Sequence, residues 1–441
     1  MAAYTITLAC YQDDTITPEF TFAGTTVHYS IEDGEPVEMT SGVAAEIVVS
    51  TGEKVEFICT EWNGITKIEM YDDQLSGDIG SWVLPTGLTV LDLGRTRVSG
   101  DISGWTLPST ILDITIDVWT NVSGDISGWV LPSGMKEIHL QDNGSITGDI
   151  GSGWIIPSSF TKLRLEGTGV SGDVSSWTFP NLQEMYLTDT NLSGDISGWT
   201  IPASLDHMVL SGTNVTGDVS LLTLHGNLID FEFTGVTGIS YGVGGALTAI
   251  TKNTIDVKFD DCGFAYAEVD QVLADLAATG VLSGDLEIDG TCSGPSPAGE
   301  VNRILLDVTR SWNVTINAAL TAPTQASSPT PADSGTNIAV GTNLSWTKDA
   351  GDEVYVYFDK QIDHDPPTTK VVDNEDTGTY DPAGIDPGTL YVWRVDTTDG
   401  TLTTTGIQWE FTTLAEGGDS ELSYSRGTTR GIAFGINRGV V

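Results

Sequence analysis

Basic residues are scarce in this sequence. Eighteen Lys and Arg stand against 61 Asp and Glu, a formal net charge of −43. Nucleic-acid backbones and anionic lipids are held by clustered Lys and Arg, so both kinds of partner are excluded by charge. Long apolar runs are missing too. No stretch approaches 18 uninterrupted apolar residues, so no membrane insertion is expected. The five histidines (His28, His139, His207, His225 and His364) are scattered and form no HExxH. There is no GxSxG elbow and no glycine-rich loop running into Lys and Ser or Thr. The four cysteines, Cys10, Cys59, Cys262 and Cys292, lack the paired spacing of a zinc site. Cys10 and Cys59 lie in β-like runs, and Cys262 and Cys292 follow neighbouring strand signals; buried thiols and two disulfides both stay open. The start, Met1-Ala-Ala-Tyr4, has no basic segment and no long apolar one. It does not read as a secretory signal, and the expectation is a chain that stays inside the cell or leaves by another route.

What is present is a packing composition. Of 441 residues 39% are hydrophobic, 51 are Gly, and Trp, Tyr and Phe number twelve each. That is not the make-up of a disordered chain, and the length suits roughly three domains.

Internal repeats decide the fold class. Leu75-Ser-Gly-Asp-Ile-Gly-Ser-Trp82-Val-Leu-Pro85 returns as Val98-Ser-Gly-Asp-Ile-Ser-Gly-Trp105-Thr-Leu-Pro108 and as Val122-Ser-Gly-Asp-Ile-Ser-Gly-Trp129-Val-Leu-Pro132. Three further copies end at Pro157, Pro180 and Pro202, and a seventh, from Val215, has lost Trp and Pro; the period is 22 to 25 residues. A short alternating strand signal precedes each, such as Leu91-Asp-Leu93 or Leu163-Arg-Leu165. One unit cannot bury its own apolar face, so the units must stack as a solenoid. Leu91, Leu93, Val98 and Ile102 are expected inside. The column Trp82, Trp105, Trp129, Trp154, Trp177 and Trp199 matches the stack and is read as core rather than a ligand platform.

The spacing LxxLxLxxTxVSGDI resembles the leucine-rich repeat, in the plant and bacterial variant that carries LxGxI. The resemblance covers about residues 65–320. It implies a solenoid used as a general recognition scaffold and says little about the ligand. The ladder Asn of the family is mostly Thr here (Thr96, Thr168, Thr190, Thr213), whose hydroxyl can bond the adjacent turn.

The whole chain is therefore expected to be mainly β with some α: a leucine-rich-repeat solenoid with a β N-cap and a helical C-cap, followed by a β-sandwich. Residues 1–64 form the β-rich cap and 65–320 the solenoid. Its end departs from the repeat: Ala267–Ala278 has helical spacing, Leu286-Glu-Ile288 is a strand, Pro297–Leu306 starts a helix, and Trp312–Ile316 closes. Residues 321–335, rich in Pro, Ser and Thr, read as a linker. Strands around Trp346, Val354–Phe358, Leu390–Arg394 and Trp409–Thr413 make 336–414 resemble a fibronectin type III or immunoglobulin-like sandwich. The tail, 415–441, alternates Arg426, Arg430 and Arg438 with apolar residues such as Phe434. It reads as a strand that docks on a partner; folding back on its own sandwich is the alternative.

Two surfaces are candidate sites. The strand residues facing away from the core should present Tyr71, His139, Arg164, Tyr186 and Lys258, with Gln141 and Glu166 among their neighbours, on a concave recognition face; any solvated sheet would look similar. Asp101, Asp125, Asp149 and Asp173 form a column at about strand spacing, ~5 Å. Ca²⁺ could bridge them, although local backbone N–H bonds would hold them equally well. No other cofactor is expected.

No catalytic residues are assigned. The architecture is that of an adhesin without an export signal. It points to a non-enzymatic virion structural protein of a tailed virus, in a tail fibre, baseplate or capsid decoration. The solenoid would recognise a host surface receptor or glycan, and the tail would bind other virion proteins. A bacterial or archaeal surface adhesin is the alternative, which would be extracellular, and a polysaccharide depolymerase comes third.

Overall fold

The computed structural model describes residues 4–416. The chain divides into two compact units, 1–320 and 321–441. It is mainly β, and the first unit is a β-solenoid of about eight turns.

Each coil gives one short strand to each of two twelve-stranded sheets. In sheet I the strands Val90–Asp92, Asp113–Thr115, Glu137–His139, Lys162–Arg164 and Glu184–Tyr186 run parallel, with Leu91, Ile114, Ile138, Leu163 and Met185 in register. The middle residue of each is fully buried and its two neighbours are half-buried. A three-residue strand has almost no stability alone, so the core exists only as the stack. Leu91, Leu93, Val98 and Ile102 are all at 0% exposure, inside as expected.

Sheet II holds the Ser-Gly-Asp strands, among them Arg97–Asp101, Asn121–Asp125 and Gly169–Asp173. Its motif has a steric cause. At Gly124 the backbone has φ +135°, and a Cβ there would sit 2.6 Å from Asp101 Oδ1 of the coil before. At Gly194 the corresponding approach, to Asp173 Oδ1, would be 2.2 Å. Each Asp thus occupies the space that the next coil's glycine leaves open.

The Trp column is core: Trp105, Trp129, Trp154, Trp177 and Trp199 are buried, and Trp82 partly so. Trp105, Trp154, Trp177 and Trp199 donate their indole N–H to a carbonyl one coil back, at 3.0–3.3 Å. The sequence reading pairs the ladder threonines with the adjacent turn. Each instead donates to the carbonyl three residues back in its own turn: Thr96 to Leu93, Thr168 to Leu165, Thr190 to Leu187 and Thr213 to Leu210, at 2.6–2.8 Å.

The turn from sheet I to sheet II needs one left-handed residue. Asp72, Asp142, Asp189 and Asp261 and Gly167, Gly212, Gly235 and Gly290 fill it, the residue types that tolerate φ > 0. Arg95 and Trp119 are exceptions, and Val118 beside Trp119 also has positive φ.

The first residues extend both sheets: Tyr4–Cys10 pairs antiparallel with Leu75–Asp78, and Glu19–Phe22 with Ile65–Glu69. Toward residue 320, helix α1 (Tyr266–Thr279) and helix α2 (Pro297–Ile304) appear where the sequence places them. Strands Gly284–Ile288 and Asn313–Ile316 complete sheet I. All four cysteines are free and buried. Tyr4 faces Cys59 and Ala9 faces Lys54 across antiparallel strands, which puts Cys10 and Cys59 at opposite ends. Cys262 and Cys292 donate to the Phe233 and Phe259 carbonyls, at 3.0 and 3.2 Å.

The second unit has a three-stranded and a six-stranded sheet around Trp346, Trp393, Trp409 and Phe411. Ser327–Thr330 pairs with Leu344–Thr347 and Gly335–Ile338 with Gln408–Thr413, so the stretch read as a linker is partly built into this unit. Its prolines suit edge strands, which need fewer N–H donors.

Candidate functional site

Among the sequence-predicted residues, the structure brings three together. His139, Arg164 and Tyr186 are register partners on consecutive strands of sheet I. The Arg164 guanidinium lies 4.6 Å from the Tyr186 ring centroid and donates to Glu184 at 3.1 and 2.6 Å. His139 Nε2 is 3.3 Å from Glu137, yet burial draws its pKa down. Tyr71 lies beyond the start of this run, 40% exposed, with Arg95 5.2 Å from its ring centroid.

Lys258 stands apart, three strands beyond Tyr186. It donates to Glu232 at 2.9 Å. Glu232 also belongs, with Asp230 and Asp256, to the group of three carboxylates close enough to share an ion among the described residues. Lys258 and His207, the latter 3.2 Å from Asp230, already supply positive or donor groups to that trio.

A second column lies one residue beyond the inward Met70, Leu93, Ile116, Leu140 and Leu165. It reads Tyr71, Gly94, Asp117, Gln141 and Glu166. Asp117 and Gln141 are 7% and 8% exposed. Gln141 Nε2 donates to Asp117 Oδ2 at 2.8 Å. The remaining acceptors, Asp117 Oδ1, Gln141 Oε1 and Glu166 Oε2, are buried without a partner. Such groups are costly unless something arrives to pair them. A side chain at Gly94 would meet Asp117 Oδ1 at 2.5 Å and Tyr71 at 3.0 Å, so the carboxylate and the ring close in on a position that only Gly can fill.

Burial, with Asp142 and Asp117 adding like charge, pushes Glu166 up to about 7 against the pull of Arg164. Burial also raises Asp117, and lifts Asp92 to about 6. Clustered perturbed carboxyls on one sheet face make these residues a candidate binding site. Chemically the column offers acceptors to hydroxyl or ammonium donors, beside an aromatic ring.

No protein-family model matches this chain, and no curated protein matches it. The reading of the site therefore rests on its own residues.

The Asp column is bonded locally. Asp101, Asp125 and Asp173 each accept a Ser N–H two residues on, at 2.9 Å, and Asp149 accepts that of Gly151 at 3.2 Å. The hydroxyls and N–H groups of Ser103, Ser127 and Ser175 together hold Asp101, Asp125 and Asp173 below the usual carboxylate range. The docking residues Arg426, Arg430, Phe434 and Arg438 lie outside the described residues.

Sequence reasoning missed Asp117 and Trp119. Asp117 follows Ile116 by the offset that Gln141 keeps from Leu140, so counting register would have found it. Spacing offered a signal for Trp119, because Ile116 to Val122 is one residue longer than Leu93 to Val98, although Leu140 to Ile146 is equally long.

Proposed function

We propose that this is a non-enzymatic recognition protein whose solenoid presents sheet I to a hydroxyl-rich ligand, a surface glycan above all. The observation that carries this is the trio of unpartnered buried acceptors, Asp117 Oδ1, Gln141 Oε1 and Glu166 Oε2. Ligand hydroxyl groups would pair with these side chains once they turn outward to meet them, and a sugar ring would lie against Tyr71. The finer architecture belongs to the same proposal. The coils are of the leucine-rich-repeat type, helices α1 and α2 close one end, and the second unit is a fibronectin type III or immunoglobulin-like sandwich.

Modules strung along one chain, with a large acidic excess, suit a virion structural protein of a tailed virus that binds a host surface. The tail would bind other virion proteins, and the protein would sit on the particle. Intact-mass spectrometry on purified particles and on cell envelopes tests the location. Full-length chain in particles supports the virion role; chain found in the envelope alone makes it a surface adhesin. Glu166, at about 7, is also suited to give a proton, which keeps a polysaccharide depolymerase as a second reading. Release of reducing ends from capsular polysaccharide, lost in Glu166→Gln, would establish that reading.

A further inference from the structure

A second hollow, of about 580 Å³, opens at the turns that lead from sheet I to sheet II, with Trp119, Arg97, Gln12, Gln74 and Asn121 on its walls. Trp119 is 61% exposed. It occupies the left-handed turn position that Gly or Asp fills in most coils, at φ +73°, and Val118 before it has φ +26°. An indole and a β-branched residue in succession there are strained, and neither the core nor the turn gains from them.

The fold is adjusted around this insertion. Thr120 cannot close its own turn as Thr96 and Thr168 do, and donates to Asn143 Oδ1 at 2.5 Å. Asn143 Nδ2 then takes the Ile116 carbonyl at 2.7 Å. The coil thus carries an additional residue whose side chain points to solvent, and strain without a folding benefit marks a functional position.

We propose that this hollow is a carbohydrate subsite, holding one pyranose ring of a neutral glycan against the Trp119 indole. The wall chemistry selects that class. A pyranose has an apolar C–H face for the indole and a rim of hydroxyls for the carboxamides of Gln12, Gln74 and Asn121, which donate and accept. Arg97, its guanidinium 4.1 Å from the Tyr11 ring centroid, is a positioned cationic donor, and Asp72 in the same wall offsets its charge. An anionic ligand would meet Asp72, also in the wall, and the acidic surface around it. A wholly apolar ligand would leave the carboxamides unpaired. Asp72 adjoins Tyr71, so a glycan of several rings could run from this hollow onto the face of sheet I. That extension rests on the recognition reading given above.

Isothermal titration of the full chain with cellohexaose, maltohexaose and chitohexaose tests the subsite, using wild type, Trp119→Ala, Trp119→Phe and Glu166→Gln. At least one hexaose should bind. Trp119→Ala should weaken it by about tenfold, with Trp119→Phe retaining part of the affinity and the melting temperatures of both Trp119 variants near wild type. Weakening by Trp119→Ala with Glu166→Gln unchanged would keep the subsite and remove the role of the face. Weakening by Glu166→Gln with Trp119→Ala unchanged would overturn the subsite and leave the face. Failure of all three sugars to bind wild type at millimolar concentration would overturn it as well.

Discussion

At the residue scale, the consequences concentrate in one carboxyl. Glu166 ionises near pH 7 when folded, against 4.5 as its ordinary value, because burial penalises the charged form. Below about pH 4.5 both states are protonated and the group contributes nothing. As pH rises toward 7 the unfolded chain releases this proton first, so folding stability falls, and above 7 the full penalty remains. Glu166→Gln should therefore match wild type near pH 4 and exceed it by about 1–2 kcal/mol at pH 8, after discounting for partial exposure. Urea denaturation across that range measures it, and equal pH slopes in the two proteins would contradict the burial argument. Much of this site was readable beforehand. Tyr71, His139, Gln141, Arg164, Glu166 and Tyr186 all followed from counting outward positions along repeated strands. The pairing inside the site was not readable, because it depends on how Gly94 leaves room for Asp117, and a missing side chain gives no periodic signal.

At the scale of the element, the Ser-Gly-Asp strand is a contact between coils. Gly124→Ala should cost about 2 kcal/mol, since the new Cβ meets Asp101 Oδ1 at 2.6 Å on a backbone at φ +135°. Gly104→Ala, with nothing within 4 Å of the new Cβ, is the control and should be near neutral in the same thermal melts. Trp177→Ala removes a buried indole and its bond to the Gly151 carbonyl, and should cost about 3–5 kcal/mol by chemical denaturation. Local N–H bonds account for the Asp column, so a chelator should leave the melting temperature unchanged; a fall would establish a bridging ion. The repeat made these elements readable because Gly, Asp and Trp recur at one period. The strands inside 321–335 were hidden by their composition: Pro and Ser signal a linker wherever pairing partners lie far along the chain. Ser327 meets Thr347 and Gly335 meets Phe411, separations that no local pattern reports.

At the scale of the whole molecule, a stack of near-identical coils gives a long regular surface, and departures from the repeat mark where it is specialised. Gly94, Asp117, Trp119 and Gln141 all fall in the early coils, around Tyr71, while Asp230, Glu232 and Lys258 form a self-compensated group further along. The acidic surface keeps polyanions away and leaves neutral, hydroxyl-rich ligands as the natural match for unpaired acceptors. The most direct measurement is binding of the full chain to an array of bacterial surface polysaccharides, beside Asp117→Asn and Glu166→Gln. The account expects selective binding to a small set of glycans, reduced in both variants. Binding to none of them, or binding that both variants leave untouched, would contradict it.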